Sequence, residues 1–417
     1  MATLSILRTR EAKMPAEVRG IGRFYAPELD ALRFVAFMLV FMRHVANEFG
    51  DIRKVAPDLV PQHMAVQAAT SIVEAPMSPL WTTVQGVAQS LDFGVCLFFF
   101  LSSFLITRLL LIERASTGKV AIRDFYVRRC LRIWPLYFSF LALIAVLSKF
   151  VPILHVSATR LFAAVFFMAN WAAVFHGWAS IPIQPLWSVS IEEQFYLIWP
   201  NCARRGRGAI ILLSTALTLI SLLTLFYAGH RANTQATEIW PNTLVQCLFL
   251  AGGALTACLS SPETRRIGLL MRLALVAFGF LCWGLASVEC HVVRTNSPGS
   301  FDLVIGYLVV LLGTFLIFTG VAGWSKSPVP RWLVYLGKIS YGLYVFHVAC
   351  LLLMKQVISS GLSPLHAERL SPYITECISA AVALAMTLLC ASLSYRFLEM
   401  RFLKLKDRFT AVPSRPA

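Results

Sequence analysis

The sequence predicts an all-α polytopic membrane protein of about ten transmembrane helices, with a re-entrant or interfacial segment near 160–186. Three observations predict it. Apolar runs of spanning length recur from residue 30 to residue 400. Charged residues make up 14% of the 417, against about 25% in a soluble chain, and mean hydropathy is +0.70. The net charge of +16 is gathered in short clusters between the apolar runs, as cytoplasmic loops require. The basic balance is therefore a topology signal, and no nucleic-acid partner is expected.

Apolar length gives eleven candidate spans: 28–49, 87–112, 133–153, 160–176, 187–201, 208–228, 242–260, 269–289, 301–322, 334–357 and 374–400. Charge tests the count. The tail 1–27 is basic and expected inside, and loop 50–86 can lie outside. Loop 113–132, with Arg128, Arg129 and Arg132, returns inside. The later clusters at Arg265/Arg266/Arg272, Lys326/Arg331/Lys338 and Arg401/Lys404/Lys406/Arg408 share that side only if the two candidates between 153 and 201 make one net crossing. Ten crossings with both termini cytoplasmic follow. The short 160–176 run, the aromatic belt Trp171, Trp178 and Trp187, and the breaks at Pro182 and Pro185 assign the non-crossing part to 160–186.

The domain organisation expected is a basic cytoplasmic tail (1–27), one integral membrane domain (28–405) and a flexible C-terminal tail (406–417). No cleavable leader, soluble second domain or internal repeat is read. The ten cysteines lack metal or disulfide spacing, and most lie in apolar runs as small hydrophobes, so no metal is expected.

Chemistry is expected where the membrane holds residues costly to bury. Arg33 and His44 are eleven residues apart on one helix, almost three full turns, so they share a face about 16 Å apart along the axis. Snorkelling to the headgroups would explain either one alone. On one stripe, with Asp30 a turn from Arg33 as partner, a functional reading gains, and a neutral His suits general-base work on a hydroxyl. Glu192 and Glu193 point about 100° apart, so at most one faces a given site; Ser188 or Ser190 capping a helix is the plain alternative. Glu192 is expected near the outer mouth, by His44. Arg129 and Arg132, i and i+3, suit phosphates or simply mark the inner loop. Tyr344 and His347 are likewise i and i+3, and His347 either serves a site or bonds a backbone carbonyl. Arg396 and Glu399 are read as a structural pair.

Taken in order, these segments resemble the acyltransferase-3 family of integral membrane acyltransferases. The Arg-x10-His helix matches at Arg33 and His44. The Phe98–Leu105 run, Arg129-x-x-Arg132, the Leu186–Tyr196 acidic motif, and Ile339–Tyr344 with His347 match in turn. Ser103 departs from the family's usual Gly, and Arg401 from its usual Pro. The resemblance implies an O-acyltransferase moving an acyl group, most commonly acetyl, from cytoplasmic acetyl-CoA or another acyl-CoA to a hydroxyl of a carbohydrate or glycolipid. A multi-pass inner (plasma) membrane location goes with it. Arg129 and Arg132 would hold the coenzyme phosphates. Arg33 would meet the pantetheine or thioester, His44 would act as base or acyl carrier, and Glu192 would orient His44 or the acceptor. Trp187, Ser188, Tyr341 and His347 would line the substrate. A glycan or lipid-linked sugar transporter without acyl chemistry is the competing expectation.

Overall fold

The computed structural model describes residues 25–50, 86–179, 181–231, 236–259, 267–290, 292, 299–324, 329–359 and 372–410. All regular structure among these residues is helical. In chain order the helices are α1 (Pro27–Gly50), α2 (Gly94–Thr117), α3 (Ile122–Leu147), α4 (Ala158–Val165), α5 (Ala169–His176), α6 (Leu186–Arg205) and α7 (Arg207–His230). They continue as α8 (Thr243–Leu259), α9 (Leu269–Val288), α10 (Ser300–Val321), α11 (Arg331–Lys338), α12 (Ser340–Ser359), α13 (Pro372–Ser394) and α14 (Met400–Lys406).

Seven helical stretches among the described residues are long and apolar enough to cross a membrane: Gly86–Thr117, Ile122–Leu147, Arg207–His230, Leu269–Val288, Ser300–Val321, Ser340–Val357 and Glu376–Phe409. The chain is thus a multi-pass membrane protein. Helices α1 and α6 have the length but not the composition, and α8, at 17 residues, is apolar but short. Large side chains on α7 and α9 lie bare, such as Leu212 at 73% and Leu270 at 83% exposed, which suits a lipid-facing surface.

Several boundaries differ from the sequence reading. The 160–176 run, expected not to cross, is indeed not a single long helix. It divides into α4 and α5 of eight residues each, about 12 Å apiece, with Phe167 in a left-handed conformation between them. The basic stretch Arg128–Arg132 lies within the first turns of α3, not in a loop, so the connection from α2 is only residues 118–121. Charge interrupts apolarity but not helicity, and Arg is a good helix former. Span 334–357 is divided at Ile339 into α11 and α12. Residues 395–399 form a π-helical turn between α13 and α14.

Helix α1 is the axis of the polar region. It packs against α2, α11 and α12, while α6 lies against α2 and α3. Small residues permit the closest approaches. A Cβ on Gly337 would collide with Asp30 O, where α11 crosses the start of α1. A Cβ on Gly253 of α8 would collide with Phe100 O and Ser103 Oγ of α2, so Gly253 makes room for the hydroxyl that Ser103 adds. The basic clusters converge on the Pro27 end of α1. Arg272 donates to Gly320 O (3.0 Å) and Ala322 O (2.8 Å) at the end of α10, where Gly323 N donates to Glu28 Oε1 (3.1 Å). Arg128 Nη1 donates to Phe409 O (2.7 Å), tying the last described turn to α3. The tail 1–24, loop 51–85 and residues 411–417 lie outside the described residues.

Candidate active site

At the Arg33 end of α1 five helices enclose a polar cavity. It is lined by Arg33 of α1, Ser102 of α2, Arg129 and Arg132 of α3, Ser188, Glu192 and Tyr196 of α6, and Tyr341 and Tyr344 of α12, with about 730 Å³ of space including its mouth. Helical period places these groups. Ser188, Glu192 and Tyr196 are successive i+4 positions on one face of α6, and Arg129/Arg132 and Tyr341/Tyr344 are i+3 pairs. The Tyr196 hydroxyl donates to Glu192 Oε2 (2.9 Å) and is itself hydrogen-bonded to Ser102 Oγ. Ser188 Oγ donates to Pro185 O (3.1 Å), so the Tyr344 hydroxyl must donate to Ser188 Oγ (2.8 Å). The Tyr341 hydroxyl donates to Ile133 O (3.2 Å). The Arg129 guanidinium lies over the rings of Tyr196 (5.4 Å) and Phe125 (5.5 Å), a cation–π seat that fixes its plane.

The cavity opens into a cleft of about 980 Å³, counting its open mouth, with which it shares Arg33, Ser102, Arg129 and Arg132. Five cations line this cleft, Arg33, Arg128, Arg129, Arg132 and Lys406, against the carboxylates Asp30 and Glu113. Both carboxylates are already in ion pairs, Glu113 with Arg128 (2.8 Å) and Asp30 with Arg33 (3.6 Å). Arg129 Nε is buried with no acceptor among the described residues. The cleft therefore favours an anion.

At the other end of α1 the described side chains pack as rings. His44 and His347 meet edge to face, with centroids 4.9 Å apart at 89°, and Phe37 and Phe41 pack on His347. His44 Nδ1 faces Val40 O (2.9 Å) and His347 Nδ1 faces Tyr344 O (2.7 Å). A carbonyl only accepts, so each ring carries its proton on Nδ1 when neutral and its lone pair on Nε2. His347 is fully buried, and its Nε2 has no partner among the described residues. Arg43 beside His44 pairs with Asp92 (2.9 Å), and Glu48, one turn on, pairs with Lys355 (3.0 Å).

The structure thus brings Arg33, Arg129, Arg132, Glu192, Ser188 and Tyr341 together, and joins His44 to His347. Glu192 lines the cavity with Arg33, and Tyr344 of the same cavity packs on His347 with ring centroids 5.4 Å apart. Helix α6 begins at Leu186, and Ser188 and Ser190 bond back to Pro185 O and Leu186 O instead of capping it. Glu192 consequently lies about 9 Å along the helix, lining the cavity with Arg33. Glu193 points elsewhere, accepting from Trp134 Nε1 (3.3 Å). Trp187 lies outside the cavity, packed on Phe99, Trp178 and Trp240. Glu399 accepts from Ser394 Oγ (3.2 Å) and not from Arg396, because the π-helical turn alters the i+3 alignment. The sequence reading passed over Ser102 and Tyr196 and paired Tyr344 only with His347. Tyr196, four residues after Glu192, could have been found by period; Ser102 needed the packing of α2 on α6.

Comparison with known proteins fits this arrangement. An O-acetyltransferase-named relative, peptidoglycan O-acetyltransferase OatA of Listeria monocytogenes, is 26% identical over 330 residues, 73% of this chain and 50% of its own. A Staphylococcus aureus protein provisionally named an O-acetyltransferase is 26% identical over 335 residues, 75% of this chain and 52% of its own. A Bacillus subtilis protein provisionally named a peptidoglycan O-acetyltransferase is 26% identical over 338 residues, 73% of this chain and 49% of its own. The chain spans about half the length of these curated relatives. No solved structure matches it. The acyltransferase-3 family model, described as an acyltransferase domain, matches residues 27–396, almost the whole helical bundle, and the chain belongs to that family.

Proposed function

We propose that the protein is a membrane O-acyltransferase that moves an acyl group, acetyl first among candidates, from cytoplasmic acyl-CoA to a hydroxyl of a carbohydrate acceptor across the inner membrane. The observation that carries this reading is the cation-lined cleft that shares Arg33, Ser102, Arg129 and Arg132 with a smaller polar cavity at Arg33. Its shape and charge suit a donor with an anionic head and a long thin arm. Arg129 and Arg132 would bind the phosphates, and the unpartnered Arg129 Nε supports that role. Arg33 would meet the thioester arm, and Ser188 and Tyr341 would line its path. Glu192, held by Tyr196, would act at this donor end, in place of orienting His44.

His44 would be the base. Its Nε2 lone pair would take the proton of the acceptor hydroxyl, whose oxygen attacks the thioester carbonyl carbon; the C–S bond breaks and the coenzyme leaves as its thiol. If His44 Nε2 itself attacks first, an acyl-imidazole carries the group to the acceptor, with the same net exchange. The catalytic unit would be residues 28–405, with α1, α6 and α8 joining the seven apolar spans to make ten crossings and both termini cytoplasmic. Peptidoglycan, which appears in the names of two relatives, is the first acceptor to try.

The test is purified full-length protein given labelled acetyl-CoA with and without glycan acceptor. Transfer or hydrolysis of label supports the enzyme. Glycan binding with the thioester left intact would instead support a transporter.

A further inference from the structure

A third cavity, of about 650 Å³ including its mouth, lies beside the cleft, between the start of α3, the end of α11, the π-helical turn and α14. It shares Arg132 and Lys406 with the cleft and Arg132 and Tyr341 with the Arg33 cavity, so the three spaces meet at Arg132. Its own contribution is chemically distinct. Lys338 and Lys404 add two ammonium groups, Tyr395 adds an aromatic side chain, and Glu399 adds a buried carboxylate already bonded to Ser394. Asp407 offsets Lys406, at 3.9 Å. The Tyr341 hydroxyl is committed to Ile133 O, which leaves its ring to line the space.

Cations, tyrosine rings and the Glu399 carboxylate, with Asp407 paired to Lys406, form a lining suited to a phosphorylated nucleoside. Lysine binds phosphate as a point charge, a ring stacks on a base, and a carboxylate accepts from an exocyclic amine. We propose that this cavity holds the adenosine 3′-phosphate end of the coenzyme donor, with Lys338 and Lys404 as its phosphate ligands. The pyrophosphate would lie at Arg129 and Arg132, and the thioester arm would run towards Arg33. The inference rests on acyl-CoA being the donor.

The experiment compares acetyl-CoA with acetyl-dephospho-CoA, which lacks only the 3′-phosphate, for the wild type and the Lys338→Gln/Lys404→Gln double variant, both full-length in lipid nanodiscs. Removing the 3′-phosphate should raise the wild-type KM at least about tenfold, as loss of its charge-assisted contacts with the two lysines implies. The double variant should show the same rise for acetyl-CoA, an unchanged kcat, and no further rise for the dephospho donor. That retained activity also shows that the variant folds. An equal KM rise for both donors, or a wild type indifferent to the 3′-phosphate, overturns the proposal while leaving the acyl-CoA reading intact. Nanodiscs of phosphatidylcholine alone and with phosphatidylglycerol separate the other phosphate source: an effect of the variant that requires the anionic lipid assigns the cavity to a headgroup and overturns the proposal. A wild type that uses neither donor removes the underlying reading as well.

Discussion

The two ends of helix α1 are built on opposite plans. At the Arg33 end, side chains from five helices surround open space, and cations outnumber carboxylates. At the His44 end, two imidazoles and two phenyl rings fill the space between α1 and α12. One helix thus carries an open, cation-lined end and an end packed with aromatic rings. The difference teaches that a shared stripe is not a shared site. Arg33 and His44 have different surroundings, although Tyr344 lines the Arg33 cavity and packs on His347.

The largest effect should come from the packed end. His44→Ala removes the proposed base and should lower acyl transfer about a hundred- to ten-thousandfold with membrane insertion intact, read by label transfer beside the amount of protein in the membrane. Normal transfer would break the division of labour between the ends. Next, Phe37→Ala should cost about 3 kcal/mol of stability by opening a cavity beside His347, since Phe37 is fully buried. Unfolding in detergent measures it, and an unchanged midpoint would mean that this end is not packed as described.

At the open end the effect should fall on binding. Arg129→Ala with Arg132→Ala should raise the donor KM about tenfold or more while the acceptor KM stays in place. Steady-state kinetics with each substrate varied in turn decides this. Equal rises for donor and acceptor would reduce the pair to topological charge.

What the sequence made legible follows the same contrast. Relations within one helix came through: the Arg33/Asp30 ion pair and the divergence of Glu192 and Glu193 follow from period alone. Relations set by where one helix lies against another did not. Nothing in the α6 sequence says that Glu192 lines a cavity with Arg33, because that depends on the helix starting at Leu186 and on its seat against α2 and α3. Apolarity also misplaced the start of α3, since a helix can begin in charged residues before it enters its apolar stretch. The Arg396/Glu399 pairing failed for a local reason, a π-helical turn with no signature in residue type. The meeting of His44 with His347, 303 positions later in the chain, belongs to the packing of α12 on α1 and to no spacing rule.

The smallest effect sharpens the comparison most, because it probes a polar contact that an open site can spare. Ser102 Oγ bonds the Tyr196 hydroxyl, which in turn donates to Glu192. A phenol has one proton, so Tyr196 gives it to Glu192 and accepts from Ser102. Ser102→Ala leaves the Tyr196–Glu192 bond whole and removes one neutral hydrogen bond, costing about 1 kcal/mol of stability and little transfer activity. Tyr196→Phe, by contrast, removes the 2.9 Å donor to Glu192, leaving Ser102 as its remaining hydroxyl neighbour, and should lower transfer more than Ser102→Ala does. Measuring both by thermal unfolding and label transfer separates a ranked chain from a rigid network. If Ser102→Ala matches Tyr196→Phe in lost activity, the Arg33 end is as tightly specified as the His44 end, and the contrast between them no longer holds.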